Sequence, residues 1–332
     1  MKQYIYLLIA LALLLSLSQS IAESGMVVGW GRNVEGQATP PAGLSNVIAV
    51  AAGEMKGLAL RSDGTITAWG DWTSQPPGLS NVVAIAAGDR QNLALLTNGT
   101  VIEWTWDDLG KAILRPTPLG LSNVVKVASG HFHNLALLSN GTVTAWGGLG
   151  PFARSQRIPD GTDVPEGLSN VVDVAAGFSD SLALRSDGTV VAWGDNEAGE
   201  TDVPKGLSNI VAIACGWYHS LAVRADGGVV AWGSKDHGGY QFDGGQTKVP
   251  VGLTNVVAVA GGAAFSLALR SDGTVVAWGQ NLQKQTNVPE GMSNVVAIAA
   301  GEFHSLALIG DGPPHKVGWS SGQTLNHKPK HP

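Results

Sequence analysis

One 28-residue sentence, GLSNVVDVAAGFSDSLALRSDGTVVAWG at residues 167–194, recurs along the chain and constrains its fold more than any other property. Copies start at Gly43, Gly78, Gly120, Gly167, Gly206, Gly252 and Gly291. The first six keep one length up to the residue after their tryptophan, a glycine in five copies and Thr105 in the other. Length varies only in the connectors, from 7 residues at 71–77 to 19 at 148–166. A unit this short cannot bury an apolar face alone, so neighbouring units must complete one continuous core.

Within a unit the pattern is one of strands. In the copy starting at Gly206, residues 210–214 form an almost continuous apolar run, as in a strand covered on both faces. Residues 220–224 alternate and read as a second strand, and 228–233 read as a third. Asp226-Gly227 between them predicts a tight hairpin, because both residue types tolerate positive φ. Equivalent turns stand at Asp63-Gly64, Asn98-Gly99, Asn140-Gly141, Asp187-Gly188 and Asp272-Gly273. The segments 162–165, 201–204 and 286–289 are candidates for an outer edge strand that proline would blunt.

Three to four antiparallel strands at a period near 40 residues describe a propeller blade, so the expected fold is an all-β, seven-bladed β-propeller. The seventh copy ends at Gly312 without its AWG strand, and the missing strand stands at the other end of the chain, in residues 26–31. This N-terminal strand is expected to close the ring; Val317-Gly318-Trp319 is the rival for that slot.

The first residues read as a secretory signal. Lys2 precedes an apolar run, and Ser20 and Ala22 supply the small residues before a cut after Ala22. The run is shorter than the ~20 apolar residues that span a bilayer. The expected organisation is a signal peptide over 1–22, a propeller over 23–312 and a disordered tail or linker stub over 313–332. The mature chain would be secreted, periplasmic or held at the cell surface, monomeric, and not inserted in a membrane. Charged residues make up only 14% of the chain and the net charge is −6, a balance that argues against nucleic acid. Cys215, the single cysteine, excludes an intrachain disulfide and reads as a small buried hydrophobe.

The repeated GxxHSLAL…DGxVxAWG sentence, with WGRNVEGQ at residues 30–37, resembles the regulator of chromosome condensation propeller family. The short repeats, the export signal and connectors such as GETDVP (199–204) and KQTNVP (284–289) are closer to the secreted group of the beta-lactamase-inhibitory protein II. The resemblance implies seven blades and a binding role rather than catalysis.

Strand direction places the loops between first and second strands, and the connectors after each AWG, on one face, here the upper. The hairpins and GLSN segments fall on the lower face. The upper loops read 54–56, 89–91, 131–133, 178–180, 217–219, 263–265 and 302–304, and they carry most of the variation. Aromatics mixed with charges on a rigid scaffold are typical of protein-binding hot spots. In the inhibitor-like proteins the corresponding loops form the contact surface, which makes Phe132, Phe178, Trp217, Tyr218 and Phe303 the first contact candidates. Arg90, Glu302 and Trp72 are added from the same rim, whereas Met55 and Ala264 depart from an aromatic crown. Trp106, Asp107, Asp108, Phe152, Arg154, Arg157, Tyr240 and Phe242 come from the connectors. Trp69, Trp146, Trp193, Trp232 and Trp278 recur at one offset and read as inter-blade packing.

No motif for catalysis, metal or cofactor emerges. His133, His219 and His304 share one repeat offset, which spreads them around the ring, and local bonding to backbone is expected of them. HExxH and GxxxxGK are absent. Asp107 with Asp108, or Asp180 with Glu302, are carboxylate pairs that invite a glycosidase reading, but surface carboxylates are common and the spacing does not place either pair across a substrate. The expected function is an exported, non-catalytic module that binds an extracytoplasmic macromolecule, most readily a protein, with an extracytoplasmic enzyme as one version of that partner. The alternatives are a carbohydrate-binding module, a structural surface protein, and a guanine-nucleotide exchange factor, which conflicts with the export signal.

Overall fold

In the computed structural model residues 25–147, 161–235 and 243–314 are described. The segment read as a signal peptide, Phe152, Arg154, Arg157, Tyr240, Phe242, residues 317–319 and most of the tail lie outside them.

The described residues form seven antiparallel sheets, six of three strands and one of four. Blade 1 runs Val47–Ala52, Lys56–Arg61, Ile66–Gly70, and blade 2 runs Val82–Ala87, Asn92–Leu96, Val101–Trp106, Ala112–Arg115. Blade 3 runs Val124–Ser129, His133–Leu138, Val143–Gly147, and blade 4 Val171–Ala176, Asp180–Arg185, Val190–Gly194. Blade 5 holds Ile210–Cys215, His219–Arg224, Val229–Gly233, and blade 6 Val256–Gly261, Phe265–Arg270, Val275–Gly279. Blade 7 is made from both ends of the chain: Val295–Ala300, His304–Ile309 and Met26–Gly31. The N-terminal strand pairs from Met26↔Ile309 to Gly31↔His304, so it closes the ring as the sequence predicts. Each first strand packs on the first strands of its neighbours, and Val47–Ala52 meets Val295–Ala300, which completes the circle.

The apolar runs explain the packing. Leu135 and Leu137 of blade 3, for example, pack with Val171, Val174 and Trp193 of blade 4. Each fully buried leucine contributes roughly 1.5–3 kcal/mol. Cys215 is buried as expected, and that burial pushes its thiol well above the ordinary range.

The hairpins differ in detail from the expectation. Only the glycine has positive φ (Gly64 at 76°). Gly64 N–H donates to Arg61 O, a turn followed by a left-handed glycine. The Asp63 carboxylate instead accepts from both the Thr65 amide and its hydroxyl, at 3.0 and 2.6 Å. Asparagines 98 and 140 do the same for Thr100 and Thr142, so the two sequons are accounted for by turn chemistry. The segments 162–165, 201–204 and 286–289 are not strands. Their valine amides are used locally, Val164 to Thr162 O, Val203 to Thr201 O and Val288 to Thr286 O, and cannot join a ladder. The one fourth strand, Ala112–Arg115, pairs with Val101–Trp106 in the blade that lost its AWG.

The repeat's His, Ser and Trp form a latch between blades. The Ser181 hydroxyl and the Trp193 indole N–H both donate to Gly161 O, at 3.1 and 2.9 Å. The same clamp holds Glu200 O (Ser220, Trp232), Gln246 O (Ser266, Trp278) and Gln285 O (Ser305, Trp30). Because the serine donates to the carbonyl, its oxygen accepts from the histidine of the preceding blade. His133 Nε2 lies 2.8 Å from Ser181 Oγ, and His219 Nε2 3.0 Å from Ser266 Oγ. These histidines are therefore inter-blade struts, where local backbone bonding was expected. The reading of the AWG tryptophans as inter-blade groups holds, with Trp146 donating to the Glu103 carboxylate instead.

Blade 4 puts Asp180 where the strut histidine stands. The carboxyl is fully buried, its oxygens meet no hydrogen-bond partner but the neighbouring Cys215 thiol, and burial, reinforced by Glu200, raises its pKa well above the ordinary value. Asp180→His is expected to restore a donor toward Ser220 and to stabilise the fold by about 1–3 kcal/mol near pH 7.5. Denaturant unfolding checks this, and a loss of stability would mean the slot is too small for imidazole.

Candidate upper-face binding site

All seven upper loops are built alike. The glycine that follows each first strand donates its N–H to the residue three places on, as Gly130 does to His133 O and Gly216 to His219 O. Only two residues are left at each tip. The glycine is required by close approach: a Cβ on Gly88 would lie 2.3 Å from Gly130 O, and one on Gly130 2.3 Å from Gly177 O. The blades therefore converge to backbone contact around a central pit of about 40 Å³, and the loop tips stand on a rigid collar.

The first tip residues are Glu54, Asp89, His131, Phe178, Trp217, Ala263 and Glu302 in ring order. They divide the face into an aromatic arc over blades 3–5 and an acidic arc over blades 7, 1 and 2. In the aromatic arc, His131 stacks on Phe178 at 4.5 Å and meets Phe132 edge-on at 4.3 Å and Trp217 at 5.2 Å. Phe178 touches Phe132, Trp217 and Tyr218 at 5.0–5.4 Å, and Phe303 reaches Trp217 at 6.4 Å. All six rings are half-buried. Five sequence candidates, Phe132, Phe178, Trp217, Tyr218 and Phe303, thus come together in one cluster. His131 at its centre was not among them, although its place as a first tip residue beside Phe132 was a usable signal.

The third residues of the loops behave differently. Lys56, Asp180, His133, His219, Phe265 and His304 are buried at the start of the second strands and do not crown the face.

In the acidic arc, Glu54 is hydrogen-bonded to Asp89, partly desolvated and crowded by Glu302, which pushes its pKa up to about 8. Burial likewise raises Glu302. The arcs meet where His131 Nε2 lies 3.4 Å from an Asp89 oxygen, and desolvation holds the imidazole below its usual value. Arg90 lies at the rim, 3.8 Å from Asp89, with 89% of its side chain exposed. Asp180 is sealed between blades, so it forms no carboxylate pair with Glu302 on the face.

Trp72 stands apart from the cluster. It faces Trp106 across a second hollow, with ring centroids 6.1 Å apart. Blade 2 explains this: Trp104 at the AWG offset is fully buried, and Trp106, two residues on, donates instead to the connector carbonyl of Ser74 at 2.8 Å. Among the described residues no group of three or more His, Cys, Asp or Glu is arranged to hold a metal ion.

Residues 124–148, 171–200, 210–238 and 256–285 match the family model of the regulator of chromosome condensation (RCC1) repeat. Among solved structures the fold is similar to Prp20p of Saccharomyces cerevisiae, with 19% identity over 88% of this chain and 93% of that one and a TM-score of 0.67. It is also similar to human WBSCR16 (16% identity, 86% and 99% covered, TM-score 0.63). The ectodomain of the Arabidopsis thaliana receptor kinase ACR4 is a third relative in fold (22% identity, 78% and 90% covered, TM-score 0.56). The comparison with curated proteins finds no match. At these identities the structural likeness is one of fold. Four of its units match the RCC1 repeat, and its fold is that of a seven-bladed propeller.

Proposed function

We propose that this propeller is an exported, non-catalytic module that binds an extracytoplasmic protein through its upper face. The observation that carries the reading is the contiguous six-ring cluster, partly exposed and held on a glycine collar. Aromatic groups on a preorganised surface supply large contact area with little ordering entropy, which is how binding hot spots are built. A similar propeller engages proteins: Prp20p was described with its binding to Gsp1p and histones, and the same protein, the yeast RCC1, was seen bound to Kap60. The test is capture from the organism's extracytoplasmic fraction with the mature chain and with a Phe132, Trp217, Tyr218 and Phe303 to Ser variant of matched melting temperature. The expected result is a stoichiometric protein complex, reconstituted from purified components, whose affinity falls more than ~100-fold in the variant. Recovery of glycans alone, or equal capture by both proteins, would overturn it.

A further inference from the structure

Between blades 1 and 2 the upper face opens into a cleft of about 370 Å³, outside the aromatic cluster and walled by Trp72 and Trp106. Trp72 is 43% exposed at its mouth. Its other walls carry Asp71, Asp89, Asp107 and Asp108. Asp71 uses Oδ1 to accept from the Trp72 amide, and Asp107 uses Oδ1 to accept from the Leu109 and Lys111 amides. The second oxygen of each, and both of Asp108, accept no hydrogen bond among the described residues. The cleft already holds one amine of its own. Lys56 is buried with Nζ 4.4 Å from the Trp106 ring centroid and donates to the Asp89 backbone carbonyl, and desolvation pulls its pKa down to about 7. Its buried stem places it at the floor, so the Trp72 face and the outer carboxylates are left for a guest. Arg90 extends into solvent at the rim and adds little charge to the interior.

We infer that this cleft receives the guanidinium group of an arginine side chain on the bound protein. A planar cation stacks on an indole while its in-plane N–H groups reach carboxylates, a combination that an ammonium or a sugar satisfies only in part. The inference rests on the protein-binding reading for the source of the arginine, and on the cleft alone for the chemistry. It divides the upper face into an apolar contact over blades 3–5 and a cation socket over blades 1 and 2.

The test is titration of the purified propeller, followed through the indole N–H resonances of Trp72 and Trp106. The probes are N-acetyl-arginine amide, its neutral isostere N-acetyl-citrulline amide, and methyl glucoside. The arginine compound is expected to shift both resonances saturably, with citrulline at least about tenfold weaker. Trp72→Ala, and Asp107→Asn with Asp108→Asn, should each weaken arginine binding at least about threefold. Trp72 is at the surface and asparagine keeps the Asp107 turn bonds, so both variants fold; the other indole resonances report it. Equal responses to arginine and citrulline, a shift with the glucoside only, or no shift would overturn the inference. If a captured partner kept its full affinity for the Asp107→Asn, Asp108→Asn variant, the socket would fall while the protein-binding reading stood. Saturable arginine binding in a chain that captures no protein would uphold the socket and remove that reading.

Discussion

A chain that starts at Arg32 is expected to melt at least ~10 °C below the chain that keeps residues 25–31. Those residues are the third strand of blade 7, with a six-residue ladder from Met26↔Ile309 to Gly31↔His304. Val27 and Trp30 are buried, and Trp30 Nε1 donates to Gln285 O to complete the clamp that blades 4, 5 and 6 also carry. Removing a buried valine and a buried tryptophan costs about 5–8 kcal/mol by side-chain burial alone. The loss is also topological. A propeller has no free ends while its ring is closed, and without this strand the His304–Ile309 edge is left unpaired at the junction of first and last blades. A synthetic peptide spanning residues 23–34 should restore part of the lost melting temperature in proportion to its concentration, because it binds only the folded ring. An unchanged melt would show that another segment fills the slot, with Val317-Gly318-Trp319 the first to examine.

Most of this architecture was legible in the repeat, because the features that recur are those that packing and turn chemistry demand. The alternation of apolar residues gave the strands, the DG and NG pairs gave the hairpins, and the displaced AWG gave the closure. What the repeat hid was pairwise chemistry between units. His219 and Ser266 stand 47 residues apart in different copies, and only stacked blades bring Nε2 to the hydroxyl. The valine amides of the outer segments turn back on the residue two places before, so an extended-looking TDVP reads as a strand and is not one. On the upper face, composition pointed to aromatics but not to their segregation. Only the loop geometry, with two tip residues per blade, shows that the first of each pair forms the inner ring and sorts into an acidic and an aromatic arc. The second hollow was hidden by a register change: Trp106 takes the clamp role in blade 2 while Trp104 sinks into the core.

The buried histidines, the strut His219 and His304 at the same offset, should make the fold acid-labile in a way that one substitution can isolate. His219 and His304 are fully buried, and desolvation depresses them to about 3 and about 4. A histidine whose folded pKa lies below its unfolded value of about 6.5 contributes stability above that pH and loses it as pH falls toward the folded pKa. At about pH 4 each has surrendered roughly 3 kcal/mol, since every pH unit between the two values is worth ~1.36 kcal/mol. The buried carboxyls act in the opposite sense. Glu200, raised to about 7 chiefly by burial, Asp180, and Glu54 at about 8 contribute stability that is complete below the unfolded carboxylate pKa and lost as pH rises through the folded one. Blade 2 supplies the probe for the acid limb. It carries Gln91 at the strut offset, and Gln91 Nε2 donates to Gly130 O at 3.0 Å without a titrating proton. His219→Gln should fold near neutral pH with a modest cost, then lose about 3 kcal/mol less than the parent chain on going to pH 4. The carboxyl limb is common to both proteins and cancels in the comparison. Denaturant unfolding of the two across that range measures the difference directly, and parallel curves would mean that His219 is not held neutral between the blades.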